Sequence, residues 1–110
     1  TSAPVPVDMR ALRALKRSPL ALDLYAWLTF QAFRAHQSNR SRFETWTQLH
    51  SHMGGDYADI ENFRKKVKAA LRKIRAVYPG LRLGRRVGGI EVSPASFPAI
   101  QPRGVTLELE

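Results

Sequence analysis

Residues 59–78 carry the clearest periodicity in the chain. Apolar side chains fall at Ile60, Phe63, Val67, Ala70, Leu71, Ile74 and Tyr78, three or four apart, which predicts an amphipathic helix with one buried face. Asp59 is placed to cap its first turn, and Pro79-Gly80 stops it. The opposite surface carries Lys65, Lys66, Lys68, Arg72 and Lys73, with Arg64 and Arg75 at the flanks and Glu61 as the one acid inside the run. Few of these charges can be paired within the helix. Such a face is either a solvated surface or one that meets phosphate.

The chain before it divides by pattern. Residues 1–7 are extended, because Pro4 and Pro6 lack amide donors and push their predecessors out of the helical region; they read as an edge strand or a linker. Asp8 caps a short basic helix over 9–17, with Met9, Leu12 and Leu15 inward and Arg10, Arg13, Lys16 and Arg17 outward. Ser18-Pro19 reads as an N-cap followed by the first helical residue. From 20 to about 35 the helix is apolar nearly all round, through Leu20, Leu22, Leu24, Tyr25, Trp27, Leu28, Phe30 and Phe33. That predicts a central, covered helix, with Tyr25 and Trp27 as core fillers rather than a stacking platform for bases.

Residues 36–42 read as a polar loop and 43–46 as a short strand. A two-turn helix follows over 47–53, with Leu49 and Met53 as its core contacts, closed by Gly54-Gly55. A buried helix, a short helix, a Gly-containing turn and a long basic helix form a helix-turn-helix succession, with a turn longer than the minimal one. After Pro79-Gly80 the period changes to two. Residues 81–86 alternate, Val87-Gly88-Gly89 turns, and 90–92 alternate again, which predicts a β-hairpin with Arg85 and Arg86 near its tip. The order helix, strand, helix, helix, hairpin predicts an α+β fold, mostly α: a winged helix. One such domain spans 1–103, with its core at about 8–94. Residues 95–103 are Pro-rich and wrap the body or trail away, and 104–110 read as a flexible tail whose last two residues resemble a cloning remnant.

Composition narrows the partner. The chain has 110 residues, 44% of them hydrophobic, enough for one compact core. A net charge of +9 favours a polyanion, nucleic acid before an anionic membrane. The charge is clustered: between 60 and 86 there are ten of the 18 Lys and Arg and a single acid. With no cysteine, disulfides and thiolate metal sites are excluded, in keeping with a reducing cytoplasm. There is no signal peptide and no apolar run of membrane length. The chain opens at Thr1 without Met, which reads as a fragment or a processed chain.

Catalytic chemistry has no residue basis. His50 and His52 sit two apart on a short helix and point to different sides, without a carboxylate cluster to complete a metal site, and His36 lies in a polar stretch. No Gly-rich phosphate loop followed by Lys-Ser or Lys-Thr is present, nor a serine in a nucleophile elbow, nor the paired His and Tyr of a rolling-circle nickase. The expectation is a non-enzyme without cofactor or metal.

The segments Pro4-Val5-Pro6-Val7-Asp8 and Leu20-Ala21-Leu22-Asp23-Leu24-Tyr25-Ala26-Trp27-Leu28-Thr29 resemble the plasmid-encoded RepA replication-initiator family. So do Thr45-Trp46 with Leu49, Gly55 with Tyr57, Phe63-Arg64 and Ala70-Leu71. The likeness runs over about residues 4–96, and the Leu-Asp-Leu-Tyr-Ala-Trp-Leu block is its most specific part. It implies a DNA-binding domain from the C-terminal part of an initiator that recognises origin repeats. Many such initiators carry two winged-helix units, of which one fits this length.

The expected partner is therefore double-stranded DNA, with host replication proteins as a further class. Phosphate contacts are expected from Lys65, Lys68, Arg72, the hairpin arginines Arg82, Arg85 and Arg86, and the amide end of the short helix at Thr47 and Gln48. Base-edge contacts are expected from Asn62, Lys65, Lys66 and Ala69. Two alternatives share this architecture: a winged-helix transcription regulator, and an interaction module docking an acidic replisome partner on the same basic face. A peripheral membrane role is disfavoured, since the apolar face of the basic helix is needed for the core.

Overall fold

The computed structural model describes residues 4–6, 9–55, 57–96 and 106–108. Its centre is helix α2, Pro19–Ser38, which starts where Ser18 adopts an extended backbone and its hydroxyl accepts from the Ala21 amide. Leu20, Ala21, Leu24, Tyr25, Leu28, Ala32 and Ala35 bury one continuous stripe. Each large member of that stripe contributes about 1.5–3 kcal/mol by leaving water. Not all of the helix is covered, however. Trp27 packs only partly against the core, and Phe30 is 41% exposed with the Arg34 guanidinium 5.5 Å from its ring centroid. The expectation of a central, covered helix thus holds for the buried stripe and not at Phe30.

The polar stretch expected as a loop over 36–42 is still helix as far as Ser38, and strand begins at Arg42. His36, Gln37 and Ser38 contain no breaker, and Ser38 Oγ donates to the Arg34 carbonyl. Asn39 ends the helix in the left-handed region, φ 55°, with its amide donating to the Ala35 carbonyl. Asn tolerates that conformation better than most residues, so a helix end needs no glycine here. On the other side, α1 (Met9–Leu15) buries Ala11 and Leu15, four apart, while Met9 is 40% exposed and Leu12 is half-buried. The inward face is therefore rotated from the one expected, and the smaller Ala11 allows a close approach. Asp8, expected as the cap of this helix, lies outside the described residues.

Strand β2, Arg42–Thr45, leads directly into α3, Trp46–Met53. The boundary is fixed by a capping box: Thr45 Oγ1 accepts from the Gln48 amide, and Gln48 Oε1 accepts from the Thr45 amide. Two orphan amides are satisfied together, so the helix begins one residue before the expected 47. Leu49 is buried, and Gly54 closes the helix by donating to the His50 carbonyl. The turn to α4 (Ile60–Val77) is held from both ends. The Tyr57 amide donates to the Gly54 carbonyl, and His50 Nε2 donates to the Tyr57 carbonyl. The rings of His50 and Tyr57 lie 5.2 and 5.9 Å from that of Phe63.

Asp59 caps α4, its carboxylate accepting from the Glu61 amide at 3.0 Å. Phe63, Val67, Ala70 and Ile74 form the buried stripe, Ile60 and Leu71 its half-buried edges, and Tyr78 is buried just past the end. Tyr78 meets Tyr25 edge to face at 6.1 Å, tying α4 to α2. The expected periodicity of this helix holds throughout.

The wing is a three-armed arrangement rather than a plain hairpin. Strand β3, Gly89–Val92, pairs along its whole length with β2, antiparallel, from Arg42 opposite Val92 to Thr45 opposite Gly89. The first hairpin arm joins β3 only near Leu83, through a Leu83–Val92 bridge and the bonds from the Gly84 amide to the Glu91 carbonyl (2.8 Å) and from the Ser93 amide to the Arg82 carbonyl (2.9 Å). Its pairing ends before the arginines. At Gly89 a side chain would drive its Cβ into the Glu44 carbonyl oxygen, so the β2–β3 approach requires glycine. Gly88, at φ 91°, makes the preceding turn.

Outside this body the backbone of β1, Pro4–Pro6, pairs antiparallel with β4, Thr106–Glu108, Val5 opposite Leu107. Of the two readings of 1–7, the strand applies at 4–6. The tail expected over 104–110 is corrected at 106–108, where the alternating Thr-Leu-Glu finds a partner strand. The Pro-rich stretch lies outside the described residues beyond Ser96. The fold is α+β, mostly helical and winged-helix-like. Among the described residues, no helix is long and apolar enough to cross a membrane.

Candidate nucleic-acid interface

The exposed side of α4 is the candidate site. Because Phe63, Val67, Ala70 and Ile74 hold one stripe of the helix in the core, helical geometry projects Lys65 and Arg72 from the opposite side, two turns apart. Asn62, Lys65, Lys66, Lys68, Arg72, Lys73 and Arg75 are all exposed, and Ala69 between them is half-buried. None of the six cations has an ion-pair or hydrogen-bond partner among the described residues. Six unneutralised cations on one helix repel each other and attract a polyanion.

Arg64 is the exception on this helix. Its guanidinium pairs with Glu61 at 3.0 Å and lies 5.4 Å from the Trp46 ring centroid, and its Nε is buried without a partner. It fastens α4 to the start of α3 and is withdrawn from the free surface. Trp46 in turn donates its amide to the Gly88 carbonyl at 3.1 Å. A short chain of contacts thus connects α4, α3 and the wing turn through one tryptophan.

The structure sorts the remaining expected residues. Arg85 is exposed and unpartnered among the described residues. Arg86 is exposed, yet its guanidinium sits 4.0 Å from the Phe43 ring centroid. The Arg82 guanidinium folds back onto the carbonyls of Pro79 and Leu81, at 2.9 and 3.1 Å, just beyond the end of α4. That position suits a cation because the C-terminal end of a helix carries a partial negative charge. Thr47 is exposed in the first turn of α3, whereas the Gln48 side chain is occupied by the capping box. Arg82 and Gln48 are therefore engaged locally, and the free polar set is Thr47, Asn62, Lys65, Lys66, Lys68, Arg72 and Arg85.

Three further residues belong to the surface. Lys73 and Arg75 continue the α4 face, a signal already present in the helical period. Val87 is 89% exposed between Arg86 and the glycine turn, the most exposed large apolar side chain described. An apolar residue placed between an arginine pair and two glycines at a predicted tip is the trace it leaves in the sequence.

Tyr78, whose hydroxyl pKa is pushed well above the ordinary phenol range by burial and further by Tyr25, belongs to the core behind this surface. Among the described residues, no three His, Cys, Asp or Glu side chains are grouped to hold a metal ion.

Residues 1–48 match the family model described as plasmid encoded RepA protein. The match supports the RepA family. It takes in α1, α2 and β2 and enters α3, so it contains the Leu-Asp-Leu-Tyr-Ala-Trp-Leu block on the central helix and stops short of α4 and β3. Of the resemblance expected over about 4–96, the family match covers the part up to residue 48. The RepA resemblance is thus anchored in the scaffold and brings with it a connection to plasmid replication. No curated protein and no solved structure matches the chain.

Proposed function

We propose that this chain is a sequence-specific, double-stranded DNA-binding module of a plasmid replication initiator, that it recognises origin repeats, and that it performs no catalysis. The observation that carries the reading is the exposed face of α4, where six cations have no partner among the described residues while the opposite stripe is locked in the core. Behind it, α3 and the capped turn hold the helix as the second member of a helix-turn-helix, and the RepA match connects the scaffold to plasmids.

In this reading the N-terminal half of α4 lies in the major groove. Asn62 has the donor and acceptor pair that suits adenine, and Lys65 the donor that suits guanine. Lys68 and Arg72 hold phosphates, and Arg85 does so from the wing. The test is a gel shift with origin-repeat duplex and with scrambled duplex at one salt concentration. The repeat should be retained at lower protein concentration than the scramble. Equal retention of both would reduce the module to an electrostatic clamp.

A further inference from the structure

We propose that the duplex contacted by this module continues past the groove occupied by α4, across a second cationic surface built from Arg13, Lys16 and Arg17 at the α1–α2 junction together with Arg72, Lys73 and Arg75 at the end of α4. The proposal rests on the reading of α4 as a duplex-binding helix and extends its footprint.

Three observations bring these residues together. α1 packs directly on α4. The edge-to-face contact of Tyr25 with Tyr78 puts the first half of α2 against the C-terminal end of α4. From Tyr25 back to Pro19 is six residues, about 9 Å of helix, so the α1–α2 junction lies at that same end of α4.

The charge there is uncompensated. Arg13, Lys16 and Arg17 are exposed, and none has a partner among the described residues. No acid occurs between Met9 and Leu22 in the sequence. Arg72, Lys73 and Arg75 are likewise exposed and unpartnered among the described residues. Gathering like charges costs self-repulsion that a counter-anion removes. Because the α1–α2 junction lies at the end of α4 that carries Arg72, Lys73 and Arg75, the anion that suits both clusters is one continuous polyanion. A duplex backbone supplies a charge about every 1.7 Å along its axis.

The experiment measures binding of the whole chain and of Arg13→Ala/Lys16→Ala/Arg17→Ala to end-labelled, mixed-sequence duplexes by fluorescence anisotropy across a salt series. One duplex spans a single helical turn and the other three turns. All three side chains are exposed, and a thermal melt by circular dichroism checks that the variant folds; the matching Gln triple replaces it if it does not. On the three-turn duplex the slope of log K against log salt should shrink by about 2–3, roughly 0.9 for each phosphate that is no longer neutralised. On the one-turn duplex it should stay at the wild-type value. A wild-type slope on the long duplex, or an equal reduction on both, overturns the extended footprint and leaves the reading of α4 standing. Failure of the wild-type chain to bind either duplex refutes that reading, and the extension with it.

Discussion

The guanidinium of Arg86 lies 4.0 Å from the ring centroid of Phe43, so one of the two neighbouring wing arginines is already committed to the body of the protein. A contact of this kind at an exposed site is worth about 0.5–1 kcal/mol. Arg85, one residue earlier, has no partner among the described residues. Neighbours alike in sequence therefore have different tasks. Arg85→Ala should reduce the salt slope of DNA binding by about 0.9, the value of one phosphate contact. Arg86→Ala should reduce it less, and Phe43→Leu, which removes the ring and keeps the charge, should not reduce it. Anisotropy titrations of the three single variants decide this. Equal slopes for Arg85→Ala and Arg86→Ala would show that the stacked geometry is given up on DNA.

The wing also depends on backbone contact. A Cβ at Gly89 would collide with the Glu44 carbonyl oxygen and sit 2.8 Å from the Thr45 Cα, neither of which can rotate away. Gly89→Ala should force β2 and β3 apart and cost about 1–3 kcal/mol, the range for overpacked sites. Urea unfolding followed by tryptophan fluorescence reports the loss as a lower midpoint. An unshifted midpoint would mean that the two strands are not held at this distance.

Core substitutions should rank by burial rather than by size. Phe63 is fully buried between α3 and α4, so Phe63→Ala should cost about 3–5 kcal/mol. Trp27 is larger but only partly buried, and Trp27→Ala should cost less than Phe63→Ala. Circular dichroism during denaturant unfolding gives both values independently of the removed fluorophore. The reverse order would place Trp27 deeper than α2 shows it.

Tyr78 makes stability fall in alkali. Burial, and secondarily Tyr25, raises its folded pKa, so the phenol keeps its proton while the unfolded chain releases one near pH 10. The stabilisation is complete below that unfolded value and declines as pH rises above it, by up to about 1.4 kcal/mol per pH unit. Lysines titrate in the same range, so the informative quantity is the difference between wild type and Tyr78→Phe from pH 8 to 11. The variant should lose less stability over the upper part of that range. Parallel curves would contradict a buried, neutral Tyr78.

Much of this was legible in the sequence where one periodicity decided the outcome. The α4 stripe from Phe63 to Ile74 follows from spacing, and its end follows from Pro79-Gly80. The short strand before α3 and the turn at Gly88-Gly89 were legible as well, because alternation marks the one and glycine the other. What was hidden depended on where long side chains go. Arg82 looks like any hairpin arginine until the carbonyls of Pro79 and Leu81 are seen beside it. Gln48 looks like a free polar residue until Thr45 completes the box. Phe30 is apolar and on the right helix, yet its place in the 100° rotation per residue puts it beyond the buried stripe. Asn39 concealed a helix end that a glycine would have announced.

The most direct measurement is a pair of binding isotherms, repeat and scrambled duplex at one salt concentration, for wild type, Asn62→Ala, Lys65→Ala and Arg72→Ala. Asn62 and Lys65 lie in the first two turns of α4, and Arg72 lies two turns beyond Lys65 on the same exposed side. The account predicts that Asn62→Ala and Lys65→Ala each lower the preference for the repeat by about 1–3 kcal/mol. Arg72→Ala should weaken both duplexes alike and leave the preference intact. If all three variants lose affinity and none loses preference, α4 holds the duplex without reading it, and the central claim is wrong.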